Sequence, residues 1–362
     1  MKKMFFLLIL ALSVMSCKDD FSISSLPDTP SKLVVYCMPS TADTTYITVS
    51  HSIPLKTYQT AHKNPMIDDA NITYQLNGQA QPITALGNGR YRVVAHQKAG
   101  DKVQLRVEAQ GLEPVESSTE IPEPVEVNNL SVRKVGSKYG VMRQQLLATF
   151  TDPAQTRDYY AVRVKRAELQ SCYVEGYRRY GSDMKMVKLY YRYRDYMEQR
   201  DSEQWDSVAV HYSISESYMP LYIENEPLLN PLSGIDDDFG FSNDFYQDFY
   251  IFEDKTINGA AYTLHLNVKV ESRRWYGYES KEALKELKEK FGVEEGLKLE
   301  LYHIAPSYYR FLLTLNELSN NAFSQAGLSP VRPTYSNMRN GMGVCAGYNL
   351  PKPAVVPWEK IE

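Results

Sequence analysis

The feature of this sequence that most constrains its fold is a series of short segments in which apolar and polar residues alternate. VQLRVEA, residues 103–109, and LKLELYHI, residues 297–304, each begin with a valine or leucine at every second position. Successive side chains of a β-strand point to opposite faces, so this period of two predicts strands with one buried face. The chain is therefore predicted to be mostly β.

Turn signals separate the predicted strands between residues 32 and 122. Asn77-Gly78 follows ITYQL, and Asn88-Gly89 precedes RYRVVA. An Asn-Gly pair favours the positive φ angles of a two-residue hairpin. Short strands at this spacing predict an N-terminal β-sandwich over residues 32–122. The sandwich is immunoglobulin-like in architecture only, because the Cys…Trp…Cys pattern of antibody domains is missing.

A larger antiparallel β-rich domain is predicted over residues 123–350, with a C-terminal tail at 351–362. IPEPVEVNN, residues 121–129, is interpreted as the linker, because its two prolines disfavour both a helix and a central strand. Two short helices interrupt the strands. One is SKEALKELKEKFG, residues 280–292, and the other, PSYYRFLLTLNELSNN, starts at Pro306, a residue that suits a first helical turn.

The N-terminus combines two lysines, an apolar run at residues 4–14, and a small residue before a cysteine, Ser16-Cys17. The run is shorter than the roughly 20 apolar residues that cross a bilayer. It suits a signal peptide, residues 1–16, that is removed. The order of these features resembles a bacterial lipoprotein signal, so we expect Cys17 to be lipidated and residues 17–31 to form a tether. The alternative is an ordinary secretory signal with a cysteine present by chance.

Lys18, Asp19 and Asp20 follow Cys17 directly. A lysine followed by acidic residues resembles the surface-export signal of Bacteroidota lipoproteins. We therefore expect an outer-membrane protein that is anchored by lipid and exposed at the cell surface. The alternative is a solvated acidic linker.

Charge and cysteine content exclude several classes of protein. The full chain has 40 Lys and Arg against 44 Asp and Glu, with no basic domain, so a nucleic acid is not an expected partner. Besides Cys17, three cysteines remain in the mature chain, Cys37, Cys172 and Cys345, and no C-x-x-C motif occurs. This predicts neither a disulfide scaffold nor a zinc site. At most one disulfide can form within the chain, and the sequence leaves open whether any does.

Catalytic motifs are missing from the sequence. The six histidines include no i, i+4 pair and no H-E-x-x-H, and neither a G-x-S-x-G elbow nor a P-loop occurs. We therefore predict a non-enzymatic protein without a cofactor or a metal.

Two segments leave alternatives open. Cys345 in GMGVCAG, residues 341–347, is interpreted as a small buried residue of a glycine-flanked strand, with a cysteine nucleophile as the alternative. The aspartates of residues 236–244 are interpreted as a solvated loop, with calcium binding as the alternative.

A tyrosine- and arginine-rich segment is the candidate binding surface. The chain has 28 tyrosines, and residues 173–196 interleave them with arginines. The period of two in YYRYRDY, residues 190–196, predicts a strand of an exposed hairpin that suits a wet interface. The alternative is a hairpin whose tyrosines pack on neighbouring strands. The proposed contact residues are Tyr190, Tyr191, Arg192, Tyr193 and Arg194.

Three C-terminal segments carry a family resemblance: FEDKTINGAAYTLHLNV at 252–268, PSYYRFLLTLNE at 306–317 and SPVRPTYSNMRNGMGVCAGYN at 329–349. Together with the lipoprotein signal and SKLVVYCMPS, they resemble the Bacteroidota outer-membrane lipoprotein family catalogued as domain-of-unknown-function family 4249. The most specific part is S-N-x-x-x-G-x-G, formed by Ser336, Asn337, Gly341 and Gly343.

The resemblance implies an accessory lipoprotein encoded beside a TonB-dependent outer-membrane transporter, and it supplies no catalytic residues. The expected function is to bind a ligand, such as a peptide or glycan, for that transporter or to support it. The alternatives are a surface hydrolase acting on peptide or glycan nutrients and a purely structural component of a surface complex.

Overall fold

A computed structural model describes residues 28–54, 56, 64–136, 142–180, 185–199, 207–223, 226–229, 249–270, 281–292, 294–320 and 333–361. The first eight strands are β1 (Leu33–Cys37), β2 (Thr44–His51), β3 (Asn71–Leu76), β4 (Gln79–Ala80), β5 (Ile83–Gly87), β6 (Arg90–Val94), β7 (Lys102–Glu108) and β8 (Val115–Glu120). The next eight are β9 (Val127–Gly136), β10 (Met142–Thr151), β11 (Tyr159–Tyr180), β12 (Lys185–Arg192), β13 (Ser207–Met219), β14 (Leu221–Tyr222), β15 (Tyr250–Glu253) and β16 (Ala261–Val268). The last four are β17 (Gly296–Ile304), β18 (Met342–Cys345), β19 (Tyr348–Asn349) and β20 (Ala354–Val356). The helices are α1 (Tyr193–Gln199), α2 (Lys281–Phe291), α3 (Pro306–Asn320) and a 3-10 turn at Trp358–Lys360.

The N-terminal strands form two facing sheets, in the orders β18-β1-β2-β6-β5 and β4-β3-β7-β8. The alternating apolar residues of β7, such as Val103, are buried between the sheets as the sequence predicts. Asn77 and Gly78 have φ angles of 51° and 82°, which the hairpin between β3 and β4 requires. The predicted sandwich is therefore present.

One strand of this sandwich comes from the other end of the chain. β18 pairs in parallel with β1, with Val35 opposite Gly343 and Cys37 opposite Cys345. The predicted sandwich boundary at residue 122 omits this strand. Sequence periodicity marks β18 as a strand but cannot identify its partner about 300 residues away.

The second region packs two sheets against each other. One has the order β14-β16-β10-β9, and the other is built on β11 and β17, with β12, β13, β15, β19 and β20 added. Alternate residues of β17, Leu297, Leu299 and Leu301, face Leu146 and Phe150 of β10 in the main core. Burial of these leucines confirms the face predicted for LKLELYHI.

The C-terminal residues are part of this core. β20 pairs with β17, and the indole of Trp358, which is 4% exposed, donates a hydrogen bond to the carbonyl of Ala167 at 3.1 Å. Residues 354–361, which were predicted to belong to a tail, are therefore packed. The apolar residues Val356 and Ile361 explain the difference, because their burial offsets the entropy lost on ordering the segment.

The structure confirms a mostly β fold with several antiparallel sheets and both predicted helices, α2 and α3. Gly292 ends α2 with a φ angle of 63°, as expected of a left-handed C-cap. The predicted strand over residues 190–196 is wrong in its second half, because β12 ends at Arg192 and α1 begins at Tyr193. Tyr196 and Met197 follow Tyr193 at helical spacing, and this apolar stripe packs on the sheet.

Candidate functional site

The long strand β11 continues beyond the main sheet and carries a three-stranded extension, which we call the arm. In the arm, residues 173–180 of β11 pair with β12 on one edge, and residues 171–177 pair with β13 on the other. The first half of β11 pairs with β17 and β15, and its residues 164–169 also pair with the C-terminal part of β13. The arm is thus continuous with the core sheet through β11 and β13.

The inner face of the arm has a small apolar core of its own. Cys172 and Val174 of β11 pack with Tyr193 of α1 and Leu287 of α2, all less than 9% exposed. Five half-buried residues surround them: Leu169, Tyr196, Met197, Val210 and Ile214. Burial of this face explains why the extension folds, since an isolated hairpin is marginally stable in water.

The opposite face, which we call the outer arm face, presents aromatic rings to solvent. It consists of Tyr173, Glu175, Tyr177, Lys188, Tyr190 and His211, which the strand register places on one side. The ring of Tyr173 stacks on His211, with centroids 4.9 Å apart, and lies 6.3 Å from the ring of Tyr190. Tyr173 is 42% exposed and Tyr190 is 61% exposed. These rings have polar tips and apolar faces, which suits a wet interface.

Charged groups hold the aromatic rings of the outer arm face in place. The Nζ atom of Lys188 lies 2.8 Å from Oε1 of Glu175 and 5.1 Å from the centre of the Tyr190 ring. The Tyr177 hydroxyl donates to Glu175 at 2.9 Å. The hydrogen bond from Lys188 lowers the pKa of Glu175, and the same bond raises the pKa of Lys188. The pair of Lys188 and Glu175 thus restrains neighbouring side chains of this face.

The structure separates the five predicted contact residues. Tyr190 lies on the outer arm face, and the exposed Arg192 lies on the same side, where it pairs with Asp195 at 2.8 Å. Tyr191 is half-buried on the opposite side, since it is the register partner of Val174. Tyr193 is 2% exposed, and Arg194 is half-buried in α1. The burial of Tyr193 removes it from the exposed face.

Of the six residues of the outer arm face, only Tyr190 was among the predicted contact residues. Tyr173 was within the tyrosine-rich segment but was not singled out, and His211 lies on β13, outside that segment. Only the register that sets Tyr173 opposite His211 brings the two rings together. The alternation in VAVHYSI, which places His211 on the face opposite Val210, was the available signal.

A second polar cluster lies beside the first half of β11. The Nε atom of Arg163 and the Nζ atom of Lys165 lie 2.7 and 2.8 Å from the carboxylate oxygens of Glu300, which also accepts from the Tyr302 hydroxyl at 2.7 Å. Burial opposes ionisation of Glu300, but hydrogen bonds from Lys165, Tyr302 and Arg163 outweigh it and lower the pKa of Glu300. Because its carboxylate has three donors, this cluster is best explained as a structural tie between β11 and β17.

Three buried carboxylates have the spacing of a metal site. Ligand atoms of Asp152, Asp158 and Asp254 lie within 4.8 Å of one another. Burial raises the pKa of Asp152, although it accepts from the Tyr160 hydroxyl at 2.5 Å and the Gly259 amide at 2.9 Å. Protein donors to the other two aspartates are the Thr156 hydroxyl to Asp158 at 2.5 Å and the Asn258 amide to Asp254 at 2.8 Å. These bonds fasten the turn after β10 to the turn after β15.

His303 links this carboxylate cluster to the segment that follows the sandwich. Its Nδ1 atom lies 2.7 Å from the carbonyl oxygen of Glu123, and its Nε2 atom lies 3.0 Å from Oδ1 of Asp158. A carbonyl oxygen only accepts, so Nδ1 carries a hydrogen, and the second contact needs a further proton on His303 or Asp158. Both ring nitrogens are engaged, so neither is free to take a proton from a nucleophile.

The motif of Ser336, Asn337, Gly341 and Gly343 positions β18. The side chain of Asn337 donates to the carbonyl of Cys345 at 2.7 Å and accepts from its amide at 2.9 Å, in place of a neighbouring strand. A Cβ atom at Gly341 would collide with Val115, and one at Gly343, whose φ angle is +99°, would collide with the carbonyl of Val35. Cys345 is fully buried, as expected of a small core residue. The motif therefore holds β18 in place as an edge strand of the sandwich.

The family model described as a domain of unknown function, DUF4249, matches residues 18–350 of the chain. The chain belongs to this family. The match covers most of the sequence, from the residue after Cys17 through β19, and so includes the sandwich, the arm and the motif that positions β18. A search of curated proteins finds no match.

Several predicted sites lie outside the described residues. These are the signal peptide at 1–16, the lipidation site Cys17, the export residues Lys18, Asp19 and Asp20, and the aspartates of 236–244. Lipidation, surface export and calcium binding therefore stay predictions. Among the helices that the structure does describe, none has the length and apolar character to span a membrane.

Proposed function

We propose that this protein is a surface-exposed outer-membrane lipoprotein, a non-enzymatic accessory subunit that supports a TonB-dependent transporter. Contact with that partner is made by the outer arm face. A peptide or glycan cargo held between the two proteins is compatible with the same face, because tyrosine rings stack on both.

The main support for this proposal is the difference between the two faces of the arm. The inner face packs against α1 and α2, whereas Tyr173 and Tyr190 on the outer arm face are exposed. Tyrosine and arginine are enriched at protein interfaces, and a small number of such side chains usually dominates the binding energy. The stacking of Tyr173 on His211 orders these rings before binding.

The lipid anchor supports the proposal from the other end of the chain. Cys17 would lie 16 residues before Leu33, the first residue of β1. A flexible segment of that length reaches roughly 20 Å. Acylation at Cys17 would therefore keep the sandwich close to the membrane that holds the transporter.

Two histidine–carboxylate pairs among the described residues are best explained as structural contacts. The pair of His303 and Asp158 is buried, and both nitrogens of His303 already have partners. Glu226, which pairs with His265, is fully buried and accepts from the amide of His265 at 2.7 Å. These contacts tie neighbouring segments of the fold together.

The partner contact is tested by affinity purification from solubilised outer membranes. The full chain carrying Tyr173→Ala and Tyr190→Ala is compared with wild type and with Tyr46→Ala, a matched control. Tyr46 is 51% exposed but lies on β2 of the sandwich. We expect wild type and the control to recover a TonB-dependent transporter, and the arm variant to recover it at least tenfold less. Equal recovery by all three would refute the outer arm face as the contact, and recovery of no transporter by wild type would refute the proposed partner.

The anchor and the topology are tested in intact cells. Cys17→Ala is expected to lose labelling by a clickable palmitate analogue. Replacement of Lys18, Asp19 and Asp20 by alanine is expected to protect the protein from added protease, whereas the wild type is digested. Equal palmitate labelling of wild type and Cys17→Ala, or protection of the wild type in uncapsulated cells, contradicts this part of the proposal.

A further inference from the structure

We infer that Cys37 and Cys345 are oxidised to a disulfide bond when the chain folds in an oxidising compartment. Such a bond would join the first strand of the sandwich to the strand that arrives from the C-terminal region. It concerns neither the arm nor the contact with a partner, but it draws on the export step of the proposed function. Apart from Cys17, the other cysteine of the mature chain is Cys172, which lies in the separate core of the arm.

The strand register places the two cysteines side by side. Cys37 of β1 and Cys345 of β18 are register partners in a parallel pair, and the amide of Ala346 donates to the carbonyl of Cys37 at 2.9 Å. Neighbouring strands are about 4.8 Å apart. A disulfide requires Cα atoms separated by about 4.4–6.8 Å. The backbone therefore satisfies the distance that a disulfide needs.

The side chains of both cysteines also point the same way. Each is fully buried in the core of the sandwich, on the same face of the sheet. Tyr36 and Val344, the preceding register pair, lie on the other face of the sheet, as alternation requires. Formation of the bond therefore needs side-chain rotation but no change of strand pairing.

The oxidant is an external disulfide, as carried by a thiol–disulfide oxidoreductase or by oxidised glutathione. The thiolate of one cysteine attacks a sulfur of that disulfide and releases a thiol. The thiolate of the second cysteine then displaces the remaining thiol, so two cysteine thiols lose two protons and two electrons and the external disulfide becomes two thiols. The neighbouring thiol of Cys345 and burial raise the pKa of Cys37 in the folded core. Exchange should therefore occur before the sandwich closes.

A bond between β1 and β18 would change how the sandwich responds to a pull on the lipid anchor. β1 directly follows the predicted tether, so a pull on the lipid anchor acts on β1. On its other side, β18 is held by the carboxamide of Asn337, which bonds both backbone groups of Cys345. A covalent link between β1 and β18 would pass such a pull into the second region and would limit opening of the sandwich.

The test uses the full chain in two preparations. The wild type is taken from cell envelopes after acid quenching, denatured, alkylated with N-ethylmaleimide and digested. The Cys17→Ala variant is reduced, denatured and refolded in detergent with glutathione redox buffer, then treated in the same way. In both we expect a peptide pair joined through Cys37 and Cys345, with only Cys172 alkylated. The oxidised form should melt about 5 °C above the reduced form.

Two control variants identify the bond. Cys172→Ala should retain the joined peptides and the shift in melting temperature, whereas Cys345→Ala should leave Cys37 alkylated and abolish the shift. Alkylation of both Cys37 and Cys345 in refolded protein, or a bond from either one to Cys172, would overturn the inference. Refolding does not depend on export. If the refolded chain forms the Cys37–Cys345 bond but affinity purification recovers no transporter, only the proposed function is contradicted.

Discussion

The two halves of β11 differ in what covers them. In the first half, Tyr160 and Val162 point into the main core, and Tyr159 and Ala161 pack under α3 on the opposite face. In the second half, among the residues that the structure describes, α1 and α2 cover one face, and Tyr173 on the other face is 42% exposed. One continuous strand thus passes from a two-sided core to a one-sided sheet.

Because of this difference, tyrosines of one strand have different environments. Tyr160 is fully buried, and its hydroxyl is bound to Asp152, so it serves the fold. Tyr173 lies on the same strand, but its side chain is 42% exposed and stacks on His211. Substitutions in the first half should therefore change stability, and those on the outer arm face should change binding.

The largest expected effect is in the core beneath the first half of β11. Phe150→Ala removes a fully buried ring that lies 5.3 Å from Tyr160 and 6.0 Å from Phe252. We expect the free energy of unfolding to fall by about 4 kcal/mol. Chemical denaturation measures it. Met142→Ala on the same strand, where the side chain is 61% exposed, should change it by less than about 0.5 kcal/mol.

The next effect comes from the carboxylate of Glu300. Glu300→Gln removes the charge that Arg163 and Lys165 share, and we expect a loss of about 3 kcal/mol at pH 7. The pKa of Glu300 is lower in the folded chain than its reference value of 4.5, so its stabilisation is present above that pH. It is lost as the pH falls through the folded pKa.

Thermal melts of wild type and Glu300→Gln over a range of pH test whether the stabilisation by Glu300 is lost as the pH falls. The gap between the two proteins should be widest at neutral pH and should narrow below pH 4.5. A gap that is constant, or that widens in acid, would show that the carboxylate charge is not what stabilises the contact between β11 and β17.

A smaller effect is expected within the arm. Tyr193→Ala opens the small core that Tyr193 shares with Val174 and Leu287. Because this core is small and can partly collapse, we expect a loss of about 2 kcal/mol. The loss should be local, so amide exchange in the arm strands should rise by about 30-fold while exchange in β10 and β17 is unchanged. Uniform acceleration would show that the arm does not unfold separately.

The smallest effect on stability is expected at the outer arm face. Tyr190→Ala removes an exposed ring, so the free energy of unfolding should change by about 0.5 kcal/mol or less. Recovery of the partner should nevertheless fall. Tyr190→Phe keeps the ring over Lys188 and is the matched control. A large loss of stability in Tyr190→Ala would assign this residue to the core and remove the distinction between the two halves of β11.

Local pattern in the sequence determined which segments are strands and which of their faces are buried. The period of two in LKLELYHI correctly places Leu297, Leu299 and Leu301 in the core, and Asn77-Gly78 marks a hairpin that the structure contains. Both helices with clear 3.6-residue stripes are present, and the motif around Asn337 indicates the family. These features depend on residues close together in the chain, so a single sequence is enough to find them.

Only the tertiary structure decided how those segments combine. The partner of β18, the stacking of Tyr173 on His211, and the burial of Tyr193 in a helix each depend on contacts between distant segments. YYRYRDY fits a strand by its period of two, but Tyr193, Tyr196 and Met197 also fit a helix. Packing on the inner face of the arm selects the helix, because that arrangement buries Tyr193. A local pattern limits the choices for each segment, and the apolar surface offered by distant strands selects among them.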